Sequence, residues 1–267
     1  MNVMKLFSLE GRVAIVTGGR GLYGSAISEG LCEAGATVVI ASRNSEKCEE
    51  YASSLRQKGL SAWGMALDLA DDLSIDRLVD DVVSRFGRID VLVNNAVDRS
   101  KMVSLNDATR EILQSSASVN LNGQILLSQK CLTHFVKQKK GNIINISSMR
   151  GLDCPHFPFY PPEYGDQPVN YTTEKWALVG LTKYMAGRYG RDGIRVNCVC
   201  PGGYNGDRPA ARVADDAPFT RTYKENCPLG DWAHYDDIKG PVAFLASEAS
   251  AYVTGATLVM DGGWTIW

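Results

Sequence analysis

Tyr171 and Lys175 stand four residues apart in the run Tyr171-Thr172-Thr173-Glu174-Lys175. On a helix, residues at i and i+4 share one face, a turn apart. A tyrosine ordinarily titrates near pH ~10, and an ammonium beside it stabilises the phenolate. Such a phenol can exchange a proton with a carbinol or carbonyl oxygen near neutral pH. The same spacing is common on ordinary helix surfaces, so its meaning depends on what else shares the site.

A second group of residues points to a phosphate. The segment Thr17-Gly18-Gly19-Arg20-Gly21-Leu22-Tyr23-Gly24 carries GxGxxG at Gly19, Gly21 and Gly24. It follows a strand pattern and opens a helical one, the context a dinucleotide loop requires. Glycines let the backbone approach a pyrophosphate, while a helix N-terminus offers N–H donors and partial positive charge. The next strand candidate ends at Ala41-Ser42-Arg43-Asn44. An NAD site normally carries Asp or Glu there for the ribose 2′-hydroxyl. Ser42 and Arg43 stand there instead, with Arg20 in the glycine loop, and two guanidinium groups suit a 2′-phosphate. The expectation is NADP(H) in preference to NAD(H), with NAD(H) as the alternative. Lys175 could then also reach the ribose of a bound nicotinamide.

Short β-branched runs alternate with helical patterns along the chain. The strand candidates are Val13–Val16, Thr37–Ala41, Ala62–Met65, Val91–Asn94, Asn142–Ile146, Arg195–Cys200 and Thr257–Met260. Several are apolar almost throughout, as strands covered on both faces must be. Helical patterns include Ser25–Ala34, Ser45–Gln57, Leu73–Phe86 and Tyr171–Tyr189. Repeated β–α units predict an α/β fold with a doubly wound parallel sheet (a Rossmann fold), its ligands beyond the strands' C-terminal ends. Residues 1–267 read as a single NAD(P)-binding domain.

Composition narrows the function further. The 267 residues are 45% hydrophobic and 22% charged, a globular balance. Lys+Arg 28 against Asp+Glu 30 leaves −2, with no basic excess for a nucleic-acid partner. No apolar run approaches the ~18 residues of a membrane span. Met1 to Arg12 does not read as a secretory signal, so the seven cysteines read as reduced thiols in the cytoplasm. Cys198 and Cys200 are expected on opposite faces of their strand. No CxxC or HxxxH spacing occurs, and no metal site is expected.

Further landmarks follow in order: Asp68-Leu69, Asn94-Asn95-Ala96, Asn120, Ile146-Ser147-Ser148, Pro201-Gly202, Thr254-Gly255 and Asp261-Gly262-Gly263. With the glycine loop and Tyr171…Lys175, they resemble the short-chain dehydrogenase/reductase family over nearly the whole chain. The ending through Trp264 is similar to gluconate-type and polysaccharide-biosynthesis members. The resemblance implies hydride transfer between a nicotinamide and a carbinol carbon. It implies Tyr171 as general acid/base, Lys175 as its electrostatic partner and ribose ligand, and Ser148 as the donor to the substrate oxygen. Asn120 would hold a helix kink and a proton-relaying water. Asp68 and Leu69 would bracket adenine, Asn95 and Ala96 would line the cofactor, and Pro201 and Gly202 would pass the nicotinamide. Gly18, Arg20, Gly21, Leu22 and Tyr23 complete the cofactor set with Ser42 and Arg43. Members commonly associate as tetramers, so a homo-oligomer (tetramer or dimer) is expected, with Trp176, Leu178, Val179 and Leu181 as candidate apolar area.

The chain departs from the family in three places. Leu22 takes the position of the loop's middle glycine, which opens the loop register. Val97 replaces the glycine of NNAG. Ser148 and Tyr171 are 23 residues apart, more than the family usually shows. The surplus, residues 153–168, holds five of the ten prolines with Phe157, Phe159, Tyr160 and Tyr164. It is expected to be ordered, either as one wall of the substrate pocket, with Phe157, Phe159 or Tyr160 facing substrate, or as a packed surface excursion or subunit contact. His156 within it reads as a loop contact. Residues 203–228 form the substrate-side segment, where Arg208, Arg212 and Arg221 could hold an anionic group. Its polarity favours a small polar substrate such as a sugar, sugar acid or polyol. The alternatives are 3-oxoacyl-thioester reduction and a catalytically silent dinucleotide-binding regulator.

Overall fold

All seven strand candidates form strands, and these make one parallel sheet in the order β3-β2-β1-β4-β5-β6-β7. The computed structural model describes residues 2–160, 165–205 and 217–267. In chain order the elements are α1 (Val3–Leu6), β1 (Val13–Thr17), α2 (Leu22–Glu33), β2 (Thr37–Ser42), α3 (Ser45–Gln57), β3 (Ala62–Ala66), α4 (Asp72–Phe86) and β4 (Val91–Asn94). They continue with α5 (Arg110–Ala117), α6 (Gly123–Gln138), β5 (Gly141–Ile146), α7 (Val169–Tyr189), β6 (Ile194–Pro201), α8 (Pro218–Asn226), α9 (Lys239–Ala246) and β7 (Thr257–Met260). A π-helical turn, Ser118–Asn122, joins α5 to α6.

The strand residues alternate between two buried layers, as a period of two requires. Ala14, Val16, Val38 and Ile40 pack under Ile27 and Leu31 of α2, Leu55 of α3 and Val242 and Leu245 of α9. Val13, Ile15, Val39 and Ala41 face the other way, against Leu78 and Val82 of α4, Leu127 and Phe135 of α6 and Met185 of α7. The strand order reverses between β1 and β4, so their C-terminal ends open a crevice. Val196, Cys198 and Cys200 lie on one strand, and the same alternation corrects one expectation. Cys198 and Cys200 share a face, with their sulfurs 3.9 Å apart. The hydrogen bond with Cys200, and then burial, push the Cys198 thiol up.

Helix starts differ from the sequence reading by two or three residues at the functional end. α2 begins at Leu22 rather than Ser25, with Gly21 as its N-cap. α7 begins at Val169, directly after Pro168. Among the described residues, no helix is long and apolar enough to cross a membrane.

Candidate active site

The crevice at the strands' C-terminal ends is a cavity of about 690 Å³. Gly18, Arg20, Gly21, Leu22, Tyr23, Ser42, Asn95, Ala96, Ser148, Tyr171, Lys175, Pro201 and Gly202 all line it. A smaller cleft beside it, of about 130 Å³, brings Arg43, Asp68 and Leu69 together with Gly18, Ser42 and Ala96. Every residue expected to hold the cofactor therefore converges on one continuous region. Val97 borders both spaces.

The glycine loop is held from beneath. Thr17 Oγ1 donates to the Val93 carbonyl and accepts from the backbone N–H groups of Asn95 and Ala96. Asn95 Nδ2 donates to the carbonyls of Thr17 and Gly18 at 2.9 and 3.2 Å. The fit is tight enough that a Cβ at Gly24 would lie 2.1 Å from the Gly18 oxygen. The start of α2 has no side-chain cap and no acidic residue in its first turn. By contrast, Asn44, Asp71 and Thr109 cap α3, α4 and α5. The uncapped amides of α2 border the cavity, where an anion can satisfy them. The loop register is thus resolved: Leu22 is the first helical residue, and its missing glycine leaves the backbone cradle in place.

The chemistry-bearing side chains come from β5 and α7. Ser147 Oγ donates to the Lys175 carbonyl at 2.7 Å and ties the strand end to the helix. A Cβ at Gly151 would lie 2.3 Å from Ser147 Oγ and 2.7 Å from that carbonyl, so only glycine permits this approach. Ser148 is the N-cap of the short turn Met149–Gly151, and its Oγ accepts from Arg150 N at 3.1 Å. Ser148 also lines the cavity. Tyr171 and Lys175 share one face of α7, with Lys175 Nζ 5.7 Å from the Tyr171 ring centroid. Nζ donates to the Ile146 carbonyl at 2.9 Å. Burial pushes the Lys175 ammonium below its ordinary value, and the Tyr171 hydroxyl acts in the opposite direction.

Asn120 sits behind this face and does not line the cavity. It lies in the π-helical turn between α5 and α6. Its Nδ2 donates to Glu174 Oε2, Ser116 Oγ and the Asp98 carbonyl, and its Oδ1 accepts from Asp98 N. Its own carbonyl accepts from Gln124 Nε2 at 3.0 Å. Glu174 and Gln124 were not singled out by the sequence reading. Glu174 lies within the Tyr–Lys run, but only the fold shows that it links α7 to the π turn.

The substrate side departs most from expectation. Of residues 153–160 and 165–168, none lines the main cavity. Phe159 is 8% exposed and buried in an aromatic cluster with Tyr223, Trp232, Trp264, Phe219 and Tyr160. Its ring lies 4.9 Å from Trp264 and 6.1 Å from Phe219, both edge-on. Phe157 is 50% exposed. His156 stacks on Phe159 at 6.3 Å, a contact within the loop. Phe159 and Tyr160 thus pack against other rings and not along the cavity, because each large ring removes more apolar area from water that way. Tyr164, Arg208 and Arg212 lie outside the described residues. Arg221 is exposed on α8 and does not line the cavity. Arg99, Arg150, Tyr204 and Trp232 line it instead. None of these was singled out by its motif, although Arg150 lies only two residues from Ser148.

A family profile described as enoyl-(acyl carrier protein) reductase matches residues 20–265. The gluconate 5-dehydrogenase of Gluconobacter oxydans is 33% identical over 265 residues, covering 98% of this chain and 97% of the relative. The 3-oxoacyl-[acyl-carrier-protein] reductase of Aquifex aeolicus is 34% identical over 260 residues, covering 96% and 98%. This chain belongs to the short-chain dehydrogenase/reductase family. A crystal structure of a gluconate 5-dehydrogenase from Burkholderia cenocepacia in complex with NADP and tartrate superposes with a TM-score of 0.88. It is 33% identical and covers 100% of both chains. The chain is accordingly an oxidoreductase of that family.

Proposed function

We propose that this enzyme interconverts a secondary alcohol and a ketone on a small polyhydroxy acid, using NADP(H). The observation that carries the reading is the lining of one cavity. Ser148 and Tyr171 share it with Arg20, Arg99, Arg150 and Lys175, and with no Asp or Glu among the described lining residues. Such a site attracts phosphate and carboxylate together.

The residues present fit the cofactor. The cradle beneath Gly24 leaves room for backbone only, and the bare start of α2 supplies donors. Gly18, Gly21, Leu22 and Tyr23 would hold the pyrophosphate, and Arg20, Ser42 and Arg43 the 2′-phosphate. Asp68, Leu69, Asn95 and Ala96 would flank the adenosine, and Lys175, Pro201 and Gly202 the nicotinamide ribose and ring. The bound nicotinamide donates or accepts a hydride. Ser148 Oγ donates to the substrate oxygen and polarises it. Tyr171 Oη gives that oxygen its proton in reduction and takes it in oxidation. The Lys175 charge stabilises the phenolate that results. Asn120 and Glu174 fix the helix that carries both. The fold and the seven free thiols support a cytoplasmic enzyme. Exposed Trp176 and Tyr184 on α7 support self-association into a dimer or tetramer, whereas Leu178 belongs to the core.

The test is NADPH oxidation over ketoses, oxo sugar acids and acetoacetyl thioesters. Turnover should be highest with an oxo sugar acid, and at least about tenfold better with NADPH than NADH. A tenfold preference for NADH would overturn the cofactor assignment. Turnover confined to thioesters would favour the second reading, oxoacyl reduction, which the Aquifex relative supports.

A further inference from the structure

We infer that Arg150 is the residue that binds the substrate's carboxylate and so sets a preference for acids over neutral polyols. The inference rests on the proposed reaction and names the part of the site that reads substrate charge. Arg150 lines the cavity two residues after Ser148, on the turn that Ser148 caps. Its side chain is buried, at 6% exposure. Among the described residues no carboxylate pairs with it. Its guanidinium donates to the Cys154 carbonyl at 3.2 Å and to the Tyr160 hydroxyl. Those bonds use two nitrogens of a group with five N–H donors.

A buried cation with neutral partners only is an incomplete arrangement, because burial penalises a charge that lacks its counter-charge. The planar fork of a guanidinium complements a carboxylate with two parallel bonds. The insertion gains a function here. It does not line the cavity, but Cys154 and Tyr160 hold the guanidinium in one orientation beside Ser148. Tyr160 is itself stacked on Phe219 at 5.6 Å, so its position is set by α8. The other cations have different places. Arg20 is on the glycine loop, Lys175 donates to the Ile146 carbonyl, and Arg99 is exposed on the loop after β4.

The experiment measures kcat/KM for an aldonate and for the polyol of equal length, in the wild type and in Arg150→Gln, Arg150→Lys, Arg99→Gln and Tyr160→Phe. Equilibrium binding of the aldonate to each NADP⁺-saturated protein is measured in parallel. Arg150→Gln should lower the aldonate-to-polyol ratio about 30-fold and weaken aldonate binding to match, the scale of hydrogen bonds to a charged group. Arg150→Lys should recover part of the ratio, and Tyr160→Phe, which keeps the ring, should lower it a few-fold. An equal fall for both substrates would overturn the inference and leave Arg150 a purely structural support. So would a ratio that follows Arg99 instead, or a wild type that binds no aldonate. Aldonate bound through Arg150 but never turned over would refute the proposed reaction while leaving this assignment standing.

Discussion

The two sides of the active-site cavity are built by different means. On the nucleotide side, main-chain groups do the holding. Thr17 and Asn95 staple the loop after β1 to the loop after β4, and a single added carbon at Gly24 would collide with the Gly18 carbonyl. On the other side, where Trp232 lines the cavity, six aromatic rings from four separate stretches bury one another. Tyr223 and Trp232 stack at 3.6 Å, and Phe159 closes the cluster edge-on. The first side fixes position through backbone geometry, which has few alternatives. The second fixes it through side-chain shape, which many combinations of rings can satisfy. A family can therefore keep its cofactor while changing its substrate.

The sharpest way to test this contrast begins at the point where the two sides meet. Tyr171→Phe should lower kcat about 10²- to 10⁴-fold, the range for a lost general acid/base, while NADP⁺ affinity stays within a few-fold. Turnover retained by that variant would break the mechanism. Gly24→Ala should weaken NADP⁺ binding about 100-fold or unfold the loop, because the intruding Cβ faces backbone that cannot yield. Phe159→Ala should lose about 3 kcal/mol of stability by opening a void in the aromatic cluster. It should raise KM for substrate and leave NADP⁺ affinity unchanged, so an equal effect on both ligands would erase the distinction between the sides. Arg43→Ala should narrow the NADPH-over-NADH preference about tenfold, read from the two kcat/KM values.

The smallest effect belongs to the opposite edge of the sheet. Glu248 pairs there with Lys140 at 2.6 Å and Arg12 at 2.8 Å. The Lys140 hydrogen bond holds its carboxyl below the usual carboxylate range. The group therefore stabilises the fold above its unfolded titration range, and that contribution is lost as pH falls through the lowered value. Glu248→Gln should flatten the acid side of the Tm profile slightly, since the pair is partly exposed and screened, and leave kinetics unchanged.

The difference between the two sides also explains what the sequence disclosed. The strands were legible because double burial demands continuous apolar runs, and all seven agree within a residue at each end. The glycine loop and the Tyr–Lys pair were legible because each is a fixed short spacing along the chain, and both line the same cavity. The aromatic side has no such spacing. Phe159, Phe219, Trp232 and Trp264 are far apart in sequence, and only packing reveals that they form one cluster. Of the two readings of the insertion, Phe159 follows the packed excursion and not the pocket wall, and the neighbouring Arg150 carries no spacing signal of its own. The paired cysteines show a simpler lapse, since residues two apart on a strand share a face whatever surrounds them. Asn120 lies in the π turn behind the cavity, and its partner Glu174 became visible only once α7 met that turn.

The interlocked rings carry a practical corollary for anyone re-engineering this catalyst. Phe159 and Tyr160 come from the excursion after β5, Phe219 and Tyr223 from the short helix after β6, and the two pieces hold each other up. Grafting either segment alone from a homologue would leave half a hydrophobic joint facing solvent. Specificity should transplant only when both are exchanged as a matched set.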